Sequence, residues 1–228
     1  MTSTSLADIL HADTEEMRRE NGIGSDPDVV AKHYGFENWS ALLAFSPYMG
    51  ELTGPGTLTF QRWLPVDRRH IWQAVSDPAE LSQWFMETTM EARIGGRFSF
   101  KHGWNGVVSA LEPGSAIAFT ADQGGQTRFE IADSDNGTRF HLLDRMGPGV
   151  TAPDGELGDL DTRQPGGPGT HWVGVAVGWH GFVDSLTGHL GAPVTTVGEH
   201  EMTLLYDRLL AAHFGSSQLV TGRQVPFQ

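Results

Sequence analysis

Hydrophobic and polar residues alternate along the chain from Thr57 onward. The alternation runs through LTFQRWL and RFSFK and then, at intervals of about ten residues, through WNGVVSALEPG, SAIAFTA, TRFEIAD and TRFHLLDR. A period of two is typical of strands with one buried face. Turn residues separate the later segments at Glu112-Pro113-Gly114, Gly124-Gly125 and Asp135-Asn136-Gly137. The pattern predicts an antiparallel meander, with a further short strand at 92–94 before Gly95-Gly96.

Two short helices are predicted between the first strand and the meander. The first lies in VDRRHIWQAVSD and the second in SDPAELSQWF. Asp77 is suited to cap the second helix and Pro78 to be its first residue, with Glu80 completing a capping box. Trp84 and Phe85 then fall on the apolar face at the end of this helix.

The segment HWVGVAVGWHGFVDSLTGH, at 171–189, predicts a long helix with an apolar stripe that contains Trp179 and Phe182. The opposite side carries glycines at 174, 178, 181 and 188. Each interior glycine costs a helix roughly 1 kcal/mol relative to alanine. Either this glycine face allows another helix to approach closely, or it is a solvent face of small residues. We favour close approach, while the aromatic stripe faces the sheet.

Three histidines in this helix, His171, His180 and His189, are each nine residues from the next. Nine residues turn a helix through roughly two and a half revolutions, so consecutive histidines lie on opposite sides. His171 and His189 share a side but are roughly 27 Å apart. Because ligands must lie about 2 Å from one metal, we expect no metal site here. His180 is the one to test for function, and we expect a structural role.

Charge and composition exclude several classes of function. The chain has 15 basic and 28 acidic residues among 228, a formal net charge of −13, and no cysteine. This balance argues against binding to nucleic acid or anionic membranes, and disulfides and cysteine–zinc sites are impossible. No apolar run is long enough to span a membrane. Since no signal peptide is recognisable either, we expect a cytoplasmic protein.

Changes in composition predict four parts of the chain. Residues 1–50 form a helical appendage, which serves as a surface for a protein partner or a homodimer or else packs on the main core. A linker at 51–56 leads to the main domain at 57–214. Within that domain a long loop at 147–169 is rich in Gly, Pro and Asp, and 215–228 is a polar tail.

Familiar catalytic motifs are missing. His200 begins a sequence like H-E-x-x-H, but Leu204 stands where the second histidine is required. The chain has no G-x-S-x-G, no G-x-G-x-x-G and no P-loop. We therefore assign no catalytic residue, no metal and no cofactor.

The strongest chemical signal is apolar, because aromatic residues of the helices and the meander are predicted to point at the sheet–helix interface. Some must form an ordinary core, but a curved sheet around one long helix can also leave a cavity for an apolar ligand. The candidate ligand-binding residues are Trp84, Phe85, Phe98, Phe100, Trp104, Phe119, Phe129, His141, Trp179 and Phe182.

An ordered set of motifs within about 57–190 resembles the START-like helix-grip (SRPBCC) superfamily, in the branch named for the activator of Hsp90 ATPase homologue. The segments that carry the resemblance are LPVDRRHIWQAVSDPAELSQWF, RIGGRFSF, GVVSALEPGSAIAFT, GTRFHLLDR and GWHGFVDSL. The resemblance implies an α+β fold in which a curved antiparallel sheet of about seven strands wraps around a long C-terminal helix.

The resemblance also implies a cavity for a hydrophobic small molecule and no shared catalytic residues. The first hypothesis is therefore non-catalytic binding of such a molecule. An enzyme of the aromatase/cyclase type is the second, and it needs an ionisable residue in the cavity, with His102, His141 and His180 as candidates. A chaperone-associated interaction domain is the third.

Overall fold

The computed structural model describes residues 8–12, 14–15, 26–54, 57–135, 137–146 and 168–213. Most of the predicted loop at 147–169 and the predicted tail at 215–228 lie outside the described residues. The described residues fall into two compact units. The first unit comprises residues 50–155 and 178–195, and the second comprises residues 1–49, 156–177 and 196–228, in each case as far as they are described. None of the described helices is long and apolar enough to cross a membrane.

The first unit contains one curved, open antiparallel sheet of eight strands in the order β1-β2-β8-β7-β6-β5-β4-β3. The strands are β1 (Glu51–Gly54), β2 (Thr57–Leu64), β3 (Thr88–Met90), β4 (Arg97–Phe100), β5 (Trp104–Glu112), β6 (Ala116–Ala121), β7 (Gly125–Ser134) and β8 (Gly137–Met146). The predicted α+β fold with its antiparallel meander is confirmed. The strand beyond the expected seven is β1, which lies in the segment predicted as a linker and pairs with β2 at the edge of the sheet.

Glycines shape the sheet where no other residue would fit. Gly124 and Gly125 turn the chain between β6 and β7 with φ of 90° and 91°, a region that glycine enters without steric cost. Gly106 lies where β5 and β6 approach closely, so that a Cβ there would collide with the carbonyl oxygen of Thr120.

The predicted strand at 92–94 is wrong, since the strand paired with β4 is β3, four residues earlier.

Two short helices, α3 (Arg68–Ser76) and α4 (Pro78–Trp84), follow β2. The carboxylate of Asp77 accepts hydrogen bonds from the backbone N–H groups of Ala79 and Glu80 at 2.8 and 3.2 Å, so the predicted cap is present. The capping box is not completed by Glu80. The backbone N–H of Asp77 is already bonded to the carbonyl of Gln73, and the Glu80 carboxylate instead lies 3.1 Å from His189.

The long helix α5 (Pro168–His189) is present as predicted. Its C-terminal half buries Trp179, Val183 and Leu186. The expected close approach of another helix to the glycine face is wrong. A Cβ on Gly178 or Gly181 would meet no atom of the described residues within 4 Å, and both positions are exposed. The glycines therefore form part of a solvent-facing side.

The second unit is helical. Residues 8–12 and 14–15 are helical, and α1 (Pro27–His33), α2 (Trp39–Phe45) and α6 (Glu199–His213) follow along the chain. Asp26 caps α1, and Asp28 in its first turn accepts a 2.7 Å hydrogen bond from the backbone of Trp39. This bond joins α1 to the start of α2, and the Phe36 and Phe45 rings pack 5.2 Å apart beside it. Most of the described residues before Ser46 are thus helical, and the role of this N-terminal segment stays a prediction.

Candidate functional site

Five aromatic side chains meet between the sheet and the C-terminal half of α5. We call them the inner aromatic cluster: Phe85, Phe100, Trp104, Trp179 and Phe182. The Phe85 ring stacks on Trp179 with centroids 5.4 Å apart and planes 9° apart, and it meets Phe182 edge-on at 4.5 Å. Phe100 and Trp104 complete the group at 5.1 and 6.1 Å from Phe85. Offset and edge-to-face pairs at these distances attract one another beyond the effect of burial.

Phe85 is the central member of the cluster, and it follows directly after the last residue of α4. It is the C-cap residue, with φ of −97° and ψ of −88°, and its N–H still bonds to the carbonyl of Leu81. The preceding residue, Trp84, is fixed by a 2.8 Å hydrogen bond from its indole N–H to the carbonyl of Ala74. The end of α4 therefore carries the ring that all other members of the cluster contact.

The other aromatic candidates surround this cluster. Trp84, Phe98, Phe119 and Phe129 are all 3% exposed or less. Trp104 and Phe182 are only partly covered, whereas Phe85, Phe100 and Trp179 are buried. The structure thus brings the nine predicted aromatic residues together on one side of the sheet, and the cluster reaches solvent at Trp104 and Phe182.

Aromatic rings occupy the place where we expected a cavity. The two best-defined concavities in the described part of the chain lie elsewhere. One, of about 410 Å³, is lined by residues of β3 to β5, including Met90, Arg97 and Asn105. The other, of about 200 Å³, is lined by residues of β5 to β8, including Arg139 and His141. No described residue of α5 lines either concavity.

His141 does not share a face with the nine aromatic candidates. Its neighbours in β8, Phe140 and Leu142, are fully buried, and successive residues of a strand point to opposite faces. The His141 ring lies 3.4 Å from the Glu130 carboxylate, which also accepts a 2.6 Å hydrogen bond from Arg128. The bond from Arg128 and, to a smaller extent, His141 hold the pKa of Glu130 below its usual value despite partial burial. His141 is therefore part of a charged surface network.

A buried carboxyl that our candidate set omitted lies on the inner face. Asp144, in β8, is 7% exposed. Its carboxylate accepts a 2.6 Å hydrogen bond from the Thr127 hydroxyl. Burial raises the pKa of Asp144, because the opposing effects of Thr127 and of the nearby Trp179 side chain do not compensate fully for the loss of water. An ionisable group on the inner face is what the enzyme hypothesis required.

A second polar group on the inner face is an ion-pair network. The guanidinium of Arg62, 2% exposed, lies 2.9 Å from the carboxylate of Asp184 in α5. His180, also 2% exposed, lies 3.3 Å from the other oxygen of that carboxylate. Burial acts to raise the pKa of Asp184, but the bonds and charges of His180 and Arg62 outweigh it and lower the pKa overall. The network joins β2 to α5.

The histidines of α5 do not form a metal site in the part of the chain that is described. No group of three or more His, Asp or Glu side chains there could hold a metal ion. His180 belongs to the Arg62 network and His189 pairs with Glu80. The side chains of His171 and His102 lie outside the described residues.

An open antiparallel sheet that grips one long helix defines a helix-grip protein. A family model described as "Activator of Hsp90 ATPase homolog 1-like protein" matches residues 65–191. This match covers more than half of the chain, so the chain belongs to that family, within the START-like superfamily. The predicted family is confirmed.

The chain is similar to several solved structures, of which the first below supports the fold. CalU16 from Micromonospora echinospora is 18% identical, with a TM-score of 0.52 over 70% of this chain and 89% of that one. A protein from Mesorhizobium loti, MLL2253, is 21% identical, with a TM-score of 0.47 over 59% and 96% of the two chains. The AHSA1-like protein from Aeromonas hydrophila is 16% identical, with a TM-score of 0.43 over 59% and 92%. No curated protein matches the chain.

Proposed function

We propose that the helix-grip domain binds a flat apolar small molecule at the inner aromatic cluster. The observation that carries the proposal is the position of Phe85. Its ring contacts every other member of the cluster, and two of these members, Trp104 and Phe182, are only partly covered. An aromatic ligand would enter between those two residues and take the place of the Phe85 ring against Trp179.

Replacing one ring by another is energetically reasonable. Aromatic pairs contribute about 0.5–1.5 kcal/mol each beyond area burial. A ligand ring stacked on Trp179 provides the same kind of interaction that the Phe85 ring makes with Trp179 in the ligand-free protein. Phe85 lies at the junction of α4 and the short segment before β3, so its side chain can rotate without breaking a regular element. An aliphatic ligand has no ring to stack on Trp179, which favours aromatic ligands.

Titration with naphthalene tests the proposal. Naphthalene has two fused rings and no polar group, and binding can be followed by backbone amide shifts in ¹H–¹⁵N spectra. We expect saturable shifts at Phe85, Trp104 and Trp179 and a higher melting temperature. Trp104→Ala should weaken binding several-fold, because it removes one wall of the entrance.

The matched control is Trp63→Ala, which removes a 56% exposed tryptophan of the same sheet that is not part of the cluster. This variant should bind naphthalene as the unmodified protein does. Shifts confined to the two surface concavities, or equal loss of binding in both tryptophan variants, would contradict the proposal.

A further inference from the structure

Asp144 lies at the edge of the proposed ligand site. The Trp179 side chain is close enough to this carboxyl to oppose part of the rise in its pKa, and the ring of the same tryptophan stacks on Phe85. A ligand ring that replaces Phe85 therefore lies against a tryptophan that adjoins Asp144. Asp144 is therefore an ionisable group that its neighbours connect to the inner aromatic cluster.

The surroundings of Asp144 are neutral. Its direct neighbours across the sheet are Thr127 in β7 and Leu58 in β2, both 1% exposed. In the described part of the chain, no Lys, Arg or His lies within ion-pair distance of this carboxylate. The buried cation of the inner face, Arg62, is four residues along β2 from Leu58, which corresponds to about 13 Å, and it is paired with Asp184.

This geometry selects ligands by charge. A ligand carboxylate beside Asp144 finds no cation to compensate for its loss of water, and an ionised Asp144 also repels it at close range. A hydroxyl group can donate to the carboxylate or accept from the carboxylic acid, so it pairs with Asp144 in either protonation state. A polar group of the ligand that found no hydrogen-bond partner beside Asp144 would weaken binding, because it would lose its contact with water.

We propose that Asp144, positioned by Thr127 and Trp179, is the specificity-determining residue of the site and selects neutral hydroxyl-bearing aromatic ligands over aromatic anions. The inference rests on the proposed function, since it assigns the polar end of the same site. It goes further by excluding anionic amphiphiles such as aromatic or fatty carboxylates.

Three probes with one ring system test the assignment: naphthalene, 2-naphthol and 2-naphthoate. For the unmodified protein we expect 2-naphthol to bind at least tenfold more tightly than 2-naphthoate at neutral pH. Asp144→Asn replaces the acid by a neutral amide of nearly the same shape and should reduce this ratio to threefold or less. Affinity for naphthalene should change little, because naphthalene has no polar group.

The matched control is Asp133→Asn, which changes the net charge equally at a carboxylate that is 76% exposed in the neighbouring strand. It should leave the tenfold ratio unchanged. If Asp144→Asn does not fold, Thr127→Val provides the second variant, since it removes the hydroxyl that holds the carboxylate and should also reduce the ratio.

The outcomes separate the two proposals. If naphthalene binds the unmodified protein and 2-naphthoate binds as tightly as 2-naphthol, the charge selection is wrong while the proposed function stands. A ratio that is the same in the unmodified protein, Asp144→Asn and Thr127→Val also overturns it. If none of the three probes binds, the proposed function fails and the assignment of Asp144 fails with it.

Discussion

Two arginines of the same sheet each pair with an aspartate, and the two pairs differ mainly in burial, which yields a sharp prediction. Arg62 is 2% exposed and lies 2.9 Å from Asp184, which is 24% exposed. Arg97 is 57% exposed and makes bonds of 2.9 and 2.6 Å to Asp122, which is 52% exposed. By distance alone the surface pair is the better one. We nevertheless expect Arg62→Met to destabilise the protein strongly and Arg97→Met to have no measurable effect.

The magnitude follows from what each substitution leaves behind. Removing one partner of a buried pair costs about 3–5 kcal/mol, because the remaining charge stays in a poorly hydrated place. We expect the lower end, about 3 kcal/mol, since Asp184 keeps His180 at 3.3 Å and methionine retains most of the apolar stem. In a chain of this size that corresponds to roughly 6–12 °C in melting temperature. Water replaces the missing partner when Arg97 is changed.

The dependence on pH provides an independent check. Burial raises the pKa of Asp184, but His180 and Arg62 lower it to a greater extent, so the net shift is below the ordinary value of 3.8. A carboxyl with a lowered pKa contributes stability that is present above pH 3.8 and is lost as the pH falls through the folded-state pKa. Arg62→Met removes part of this contribution. The gap in stability between the two proteins should therefore be widest near neutral pH and narrow below about pH 3.8.

Urea unfolding followed by circular dichroism, between pH 3 and pH 8, measures both effects. The reasoning is refuted if Arg62→Met and Arg97→Met shift the unfolding midpoint equally. It is also refuted if the gap for Arg62→Met widens toward low pH.

Three further substitutions test local parts of the fold, each by chemical unfolding. Gly178→Ala and Gly181→Ala should each stabilise the protein by about 0.5–1 kcal/mol, because alanine favours the helix and its Cβ would meet no described atom. A loss of stability would show that the glycine face is covered. Gly106→Ala should destabilise by at least about 2 kcal/mol, since its Cβ would collide with the backbone oxygen of Thr120, and a neutral result would contradict the close approach of β5 and β6. Asp77→Ala should cost about 1 kcal/mol by removing the cap of α4, whereas Asp77→Asn should cost less.

Local signals in the sequence predicted the parts of the fold that depend on neighbouring residues. Alternation of apolar residues and glycine-containing turns defines hairpins such as β6–β7, and Asp77 with Pro78 marks the start of α4. The pairing of β2 with β8 joins residues about 80 positions apart, and no local signal predicted it. Strand β1 was missed because its proline and glycine neighbours made the segment resemble a linker.

Two predictions were wrong because they depended on the surroundings of a helix, which no local pattern contains. Glu80 has the spacing of a capping box, but the N–H that it would accept is bonded to Gln73 at the end of the preceding helix. The glycines of α5 could have indicated either a packed or a solvent-facing side, and spacing alone could not decide between them. In both cases the outcome depends on elements that the pattern of one helix does not describe.

The polar residues of the candidate site show where sequence reasoning could have gone further. Successive strand residues point to opposite faces, so His141 cannot lie on the same face as Phe140, whereas Leu142 and Asp144 must. Parity alone would have excluded His141 from the inner face and included Asp144. It could not have shown that Trp179, 35 positions later, lies near that carboxyl, because this proximity exists only once α5 packs against the sheet. The face of a strand residue follows from counting, but its chemistry follows from its tertiary partner.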